Sequence, residues 1–164
     1  MTIRTASPQD ADALATLINA AFIVEAFFKV GDRTSADEIA ELMADGGEFL
    51  VLENLPRRSG EAANVGNPSG CVYLKRSGDR AYLGMLSIAP PLQRRGLGRQ
   101  LVEAAESRAR ALGCRFMDMH IVNLREELLP YYRRLGYAEN GTLPFSEPTR
   151  ASRSCFFVVM SKRL

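Results

Sequence analysis

The chain has 164 residues, enough for about one domain with a sizeable core, and its apolar (46%) and charged (24%) fractions are those of an ordinary globular protein. A formal net charge of +2 lacks the strong basic imbalance of a dedicated nucleic-acid binder, and no apolar run approaches the length of a membrane span. The three cysteines (Cys71, Cys114, Cys155) form no C-x-x-C pair and make no familiar zinc spacing with the lone His120, so no metal site or disulfide framework is expected.

The first residues show no basic stretch followed by an apolar run, so no signal peptide is expected and the reducing cytoplasm is the expected compartment. Residues 2–6 are a candidate strand. Ser7-Pro8-Gln9-Asp10 reads as a helix start, with Ser7 able to cap and Asp10 able to reach back. Leu14, Leu17, Ile18, Ala21 and Phe22 then form one apolar stripe. A second capping box, Ser35-Ala36-Asp37-Glu38, opens a helix that buries Ile39, Leu42 and Met43 and ends at Gly46-Gly47. A strand runs from Phe49 to Glu53. Residues 56–70 are polar and rich in turn formers, and read as a mobile loop. Cys71–Arg76 and Ala81–Ile88 read as a hairpin around Ser77-Gly78-Asp79.

A helix follows from about Gly96 to Leu112, with Leu97, Leu101, Ala105, Ala109 and Leu112 on one face. Phe116–Val122 is a strand, Arg125–Leu135 a helix ended by Gly136, and Phe156–Ser161 a closing strand; Asn140-Gly141-Thr142 reads as a turn. The whole chain, 1–164, is expected to be one domain of six strands, with room for a seventh, and about four helices.

The stretch from Leu86 to Arg99 carries the chemistry. A strand ends at Ile88, Pro90 and Pro91 stop sheet pairing, and Gln93-Arg94-Arg95-Gly96-Leu97-Gly98 feeds into a helix. Amides at a helix start have no partner inside the helix, and the macrodipole adds about half a positive charge there, so a pyrophosphate suits the place. Glycines at 96 and 98 let the backbone approach it. On spacing alone, a surface turn whose glycines ease packing is an equally good reading. The stretch is not G-x-G-x-x-G, because Leu101 stands at the third glycine, and no Gly-Lys-Ser/Thr makes it a P-loop.

Gln93-Arg94-Arg95-Gly96-Leu97-Gly98 resembles the Q/R-x-x-G-x-G/A coenzyme A signature of the GCN5-related N-acetyltransferases (GNAT). Tyr132-Arg133-Arg134-Leu135-Gly136-Tyr137 resembles their Y-x-x-L-G-F/Y motif, one strand and one helix further on. The close match spans residues 81–137. The resemblance implies an α/β (α+β) fold with a GNAT-like mixed, splayed central sheet of six to seven strands flanked by about four helices. It implies acetyl-CoA as acyl donor, held by Gln93, Arg94, Arg95, Gly96, Leu97, Gly98 and Arg99 at its pyrophosphate and by the backbone of Leu86, Ser87 and Ile88 along its pantetheine, an added strand in effect. Gly84 is a candidate for the bulge that frees this edge, with a packing role an equal alternative.

Tyr132 is implied as the donor of a proton to the departing sulfur, since a phenol with a pKa near 10 is protonated at neutral pH. Two features depart from the family pattern. Arg125 stands where many relatives have an asparagine, so Asn123, the nearest one, is the substitute coenzyme contact, with capping of the next helix as its other role. No carboxylate lies between Tyr82 and Ile88, where relatives often place a glutamate. A primary amine is neutral in only about one part in 2,500 at pH 7, worth roughly 4.6 kcal/mol, so a base is needed. His120, Glu25 and a water chain are the alternatives.

The expected function is N-acetyl transfer to a primary amine of a small molecule or chain end by direct attack in a ternary complex; a coenzyme A-binding sensor that has lost the chemistry is the alternative. The acceptor pocket is assigned to residues 26–33 and 141–148. No nucleic acid, membrane or metal partner is expected, and a homodimer through the sheet edge near the last strand is compatible with the pattern.

Overall fold

The structure is a computed structural model that describes residues 1–53 and 68–164, so residues 56–67 of the expected loop lie outside it. In chain order the elements are β1 (Thr2–Thr5), α1 (Ala11–Phe22), α2 (Ala36–Ala44), β2 (Glu48–Glu53), β3 (Gly70–Ser77), β4 (Arg80–Ile88), α3 (Leu97–Ala111), β5 (Phe116–Val122), α4 (Leu128–Arg134), β6 (Ala138–Pro144) and β7 (Phe156–Arg163). The strands form one seven-stranded sheet in the order β1-β2-β3-β4-β5-β7-β6. Every pairing is antiparallel except β4 with β5.

Local chemistry sets the helix starts. The Ser7 amide donates to Asp10 Oδ2 at 2.7 Å, and Arg4 reaches the same carboxylate at 2.8 Å. Before α2 the Glu38 amide donates to Ser35 Oγ at 3.2 Å, while the Glu38 carboxylate accepts from the Thr34 hydroxyl at 2.7 Å and so completes no reciprocal box.

Alternation along the strands builds two cores. Leu50, Leu52, Val72, Leu74, Ala81, Leu83, Met117 and Met119 pack with Leu101, Val102 and Ala105 of α3 on one face. Phe49, Val51, Cys71 and Tyr73 pack with Leu14, Ile18 and Ile39 on the other. This period of two is what a sheet covered on both faces requires.

Two irregularities in β4 position the site. First, β4 pairs with β5 only from Arg80 to Tyr82, so the stretch from Leu83 to Ile88 diverges from β5. Second, the register with β3 slips between Tyr73↔Gly84 and Cys71↔Ser87, an extra residue on β4, and Met85 takes a left-handed φ of 49°. The bulge thus sits at Met85, one residue past Gly84. Gly84 serves packing, since a Cβ there would stand 2.8 Å from the Tyr82 ring. The bulge turns Met85 toward the α1/α2 core and returns Leu86 and Ile88 to the α3 face.

Residues 138–144, read in part as a turn, form the edge strand β6, with Gly141 at φ 96° in a bulge opposite β7. Every residue of β6 is exposed, so no alternation marks it in the sequence. The fourth helix is shorter than expected. It begins at Leu128, and Pro130 falls in its first turn, where the missing N–H has no helical acceptor.

Candidate active site

The turn between β4 and α3 is built to leave amides free. Pro90–Leu92 make a single tight turn, and the Gln93 carboxamide donates to Ile88 O at 3.1 Å, fastening the turn to the strand end. Arg94 (φ 62°) and Gly96 (φ 77°) are both left-handed, a conformation that costs a non-glycine residue roughly 1–2 kcal/mol. The first helical bond runs from the Gln100 amide to Gly96 O. Among the described residues no acceptor takes the amides from Arg94 to Arg99. Alternating handedness with consecutive free amides makes an anion-binding concavity. A Cβ on Gly98 would stand 3.3 Å from the Tyr131 hydroxyl and 3.9 Å from Leu86. Arg94 and Arg95 are exposed, whereas Arg99 is drawn to Glu103 at 2.7 Å. These features fit a diphosphate.

Leu86, Ser87 and Ile88 form the strand edge beside this turn. Ser87 and Ile88 pair with β3 on one side, and on the β5 side β4 has no partner past Tyr82 among the described residues. The Ser87 hydroxyl donates to Met85 O at 3.0 Å and holds the bulge closed.

Tyr132 is 5% exposed and belongs to the α3-face core, with its ring 5.0 Å from Tyr131 and 6.0 Å from Tyr137. Burial pushes its hydroxyl well above the ordinary tyrosine range, and the charges of Arg125 and Tyr82 bear on it as well.

His120 lies on the opposite, α1/α2 face, its ring 5.0 Å from Tyr82 and 5.7 Å from Phe157; burial lowers its pKa below 6.5, against a smaller upward pull from Asp118. Asn123 ties β5 to β7. Its Oδ1 accepts from the Phe156 amide at 2.9 Å, and it caps no helix.

Glu25 lies in the 3-10 turn Ile23–Phe27 and is 8% exposed. Arg125 donates to its Oε1 at 3.1 Å, so the residue standing at the family's asparagine position reaches across to the α1–α2 connection. Glu25 Oε2 has no hydrogen-bond partner among the described residues. Burial raises the carboxyl above 4.5 despite Arg125, Arg33 and Lys29.

The two segments expected to shape the acceptor pocket do meet, through the β6–β7 connection. Ser152 N donates to Phe28 O at 2.7 Å, Val30 N donates to Arg150 O at 2.9 Å, and Phe28 stacks edge-on with Phe145 at 6.4 Å. Buried Lys29 pairs with Glu147 at 2.6 Å, and Arg150 donates to Asp32 O. A pocket of about 140 Å³ lies between the end of α1 and the residues that follow it, lined by Asn19, Phe22, Ile23, Glu25, Lys29 and Arg33 among others, all within residues 19–33; residues 141–148, also expected there, are not part of its lining. Asn19, Tyr82 and Arg33 were not singled out from the sequence. Asn19 does carry a signal, a polar residue next to the apolar stripe of α1.

The family model for the acetyltransferase (GNAT) family matches residues 17–137 of the chain. Among solved structures, ribosomal-protein-alanine N-acetyltransferase from Brucella melitensis superposes with a TM-score of 0.74 at 21% identity, covering 100% of both chains. The yncA protein from Salmonella typhimurium, solved with its cofactor acetyl-CoA, gives 0.72 at 22% identity over 100% of this chain and 94% of that one. An N-acetyltransferase from Staphylococcus aureus gives 0.73 at 15%, covering 99% and 97%.

Proposed function

The chain belongs to the GNAT acetyltransferase family, and on that premise we propose that it acetylates the primary amine of a small molecule or chain end by direct attack in a ternary complex. It is an acyl-CoA-dependent N-acyltransferase whose acyl donor is acetyl-CoA. When bound, acetyl-CoA supplies a thioester: the amine lone pair forms the new C–N bond, the C–S bond breaks with its electron pair on sulfur, nitrogen loses one proton and sulfur gains one.

The protein's own groups divide this work. The amides from Arg94 to Arg99 neutralise the diphosphate, and the free edge at Leu86–Ile88 offers backbone groups to the pantetheine. Tyr132 keeps its proton because it is buried, and delivers it to the sulfur. Glu25 is the better supported base. It lines the pocket, one carboxylate oxygen is unengaged, and burial brings its pKa nearer to neutrality. His120 is held between two aromatic rings outside that lining.

The observation that carries this reading is the run of unaccepted amides opening α3 beside the splayed strand. The experiment is release of free thiol from acetyl-CoA across a panel of amines. Release that depends on the amine is expected. Coenzyme binding without release for any amine would leave only a sensor.

A further inference from the structure

We infer that the acceptor is a compact free α-amino acid whose carboxylate docks on Arg33. The inference rests on the transferase reading and narrows its acceptor. The pocket beside Glu25 is small, about 140 Å³, the scale of one amino acid. Its cations are unequally occupied. Lys29 is consumed by Glu147 at 2.6 Å. The Arg33 guanidinium has no carboxylate within ion-pairing distance among the described residues and lies over the Phe22 ring at 5.4 Å. The backbone that carries Arg33 is also held in place. Asn19 Oδ1 accepts from the Arg33 and Thr34 amides at 2.8 and 3.0 Å, and Asn19 Nδ2 donates to Thr34 O at 2.9 Å. A guanidinium with free N–H groups, carried on an anchored stretch of backbone, is suited to grip a carboxylate through two parallel bonds.

The opposite charge lines the same pocket. Arg33 is near enough to Glu25 for its charge to act on that carboxyl, yet the two are not paired with each other. Separated groups of opposite sign, each with hydrogen-bonding capacity left over, complement a zwitterion: ammonium toward Glu25 Oε2, the oxygen Arg125 does not engage, and carboxylate toward Arg33. Phe22 and Ile23 supply an apolar wall for a side chain. A protein N-terminus lacks the α-carboxylate that a free amino acid carries, so an Arg33 left free for a carboxylate favours the amino acid over a chain end.

The test pairs each L-amino acid in an acceptor panel with its own carboxamide, and includes isoamylamine and short peptides. For the best pair, the ratio of kcat/KM between acid and amide is measured in the wild type, Arg33→Gln and Arg33→Lys. The intrinsic difference in amine basicity cancels when ratios are compared between proteins. Arg33→Gln is expected to lower the ratio about tenfold to a hundredfold, the range of a hydrogen bond to a charged group, and Arg33→Lys to lower it less. Acetyl-CoA affinity serves as the folding control for both variants. An unchanged ratio in Arg33→Gln, or turnover of amides and amines but of no amino acid, overturns the inference and leaves the transferase reading standing. No thiol release with any acceptor, while coenzyme binds, sinks the transferase reading and the inference together.

Discussion

Tyr132 and Glu25 show how one environment can serve two opposite proton demands. Desolvation penalises whichever form is charged, so it keeps a phenol protonated and makes a carboxylate more basic. Tyr132 is shifted upward mainly by burial, and Tyr132→Phe removes the proton while leaving the packing of the ring. The expected result is a kcat lower by about a hundredfold or more with acetyl-CoA affinity close to wild type, read by steady-state kinetics and calorimetry. A rate equal to wild type would take Tyr132 out of the acid role. For Glu25, transfer needs the ionised form, so activity falls as pH falls through its pKa. Because burial raises that pKa above 4.5, the acid limb of kcat/KM is expected above pH 4.5, and Glu25→Gln should abolish it. If instead His120→Gln removes the limb and Glu25→Gln does not, the base is the histidine.

At the scale of elements, the turn into α3 and the bulge in β4 are complementary halves of one device. The bulge keeps Leu86 and Ile88 on the α3 face, and the same two residues lie 3.9 and 4.0 Å from where a Cβ on Gly98 would be. Gly98→Val would therefore push the helix start away from the strand edge and intrude where the free amides converge. Acetyl-CoA binding is expected to weaken by at least about tenfold, close to 1.4 kcal/mol, in calorimetric titration. Unaltered affinity would mean that the amides are not the grip. The turn was legible because glycines and prolines specify backbone directly: Gly96 needs its positive φ, and Pro90 and Pro91 end the strand. Of the two roles open to Gly84, packing is the one it plays, and the bulge falls on Met85, a side chain that gives no such signal in the sequence. The seventh strand, β6, was allowed for but not placed, for a related reason. It is an edge exposed throughout, so its residues lack the alternation that burial imposes. Arg33 and Asn19 were illegible as a pair, since their contact joins a helix to a loop 14 residues away and only folding brings them together.

Across the whole molecule, tyrosines accumulate on both sides of the splayed sheet. Tyr82, Tyr131, Tyr132 and Tyr137 are all shifted above 10, in each case chiefly by burial. The consequence for stability has a definite sign. Below pH 10 folded and unfolded chains both keep these protons. Above about pH 10 the unfolded chain loses them first, so the unfolded state gains and stability falls as pH rises toward the folded values. Each such tyrosine contributes a slope of about 1.4 kcal/mol per pH unit over that window. Tyr137 offers the clean test, because its hydroxyl donates to buried Glu106 at 3.0 Å, while Lys162 holds the same carboxylate at 2.8 and 2.9 Å from the last strand. Tyr137→Phe is expected to be less stable than wild type by about 1 kcal/mol at pH 8, the share of one hydrogen bond. It should also lose stability less steeply above pH 10, because it has one fewer proton to release. Urea unfolding at intervals from pH 8 to 11 should thus bring the two curves together as pH rises. Parallel curves would mean that the fold loses its alkaline stability elsewhere, and that the buried phenols do not govern it.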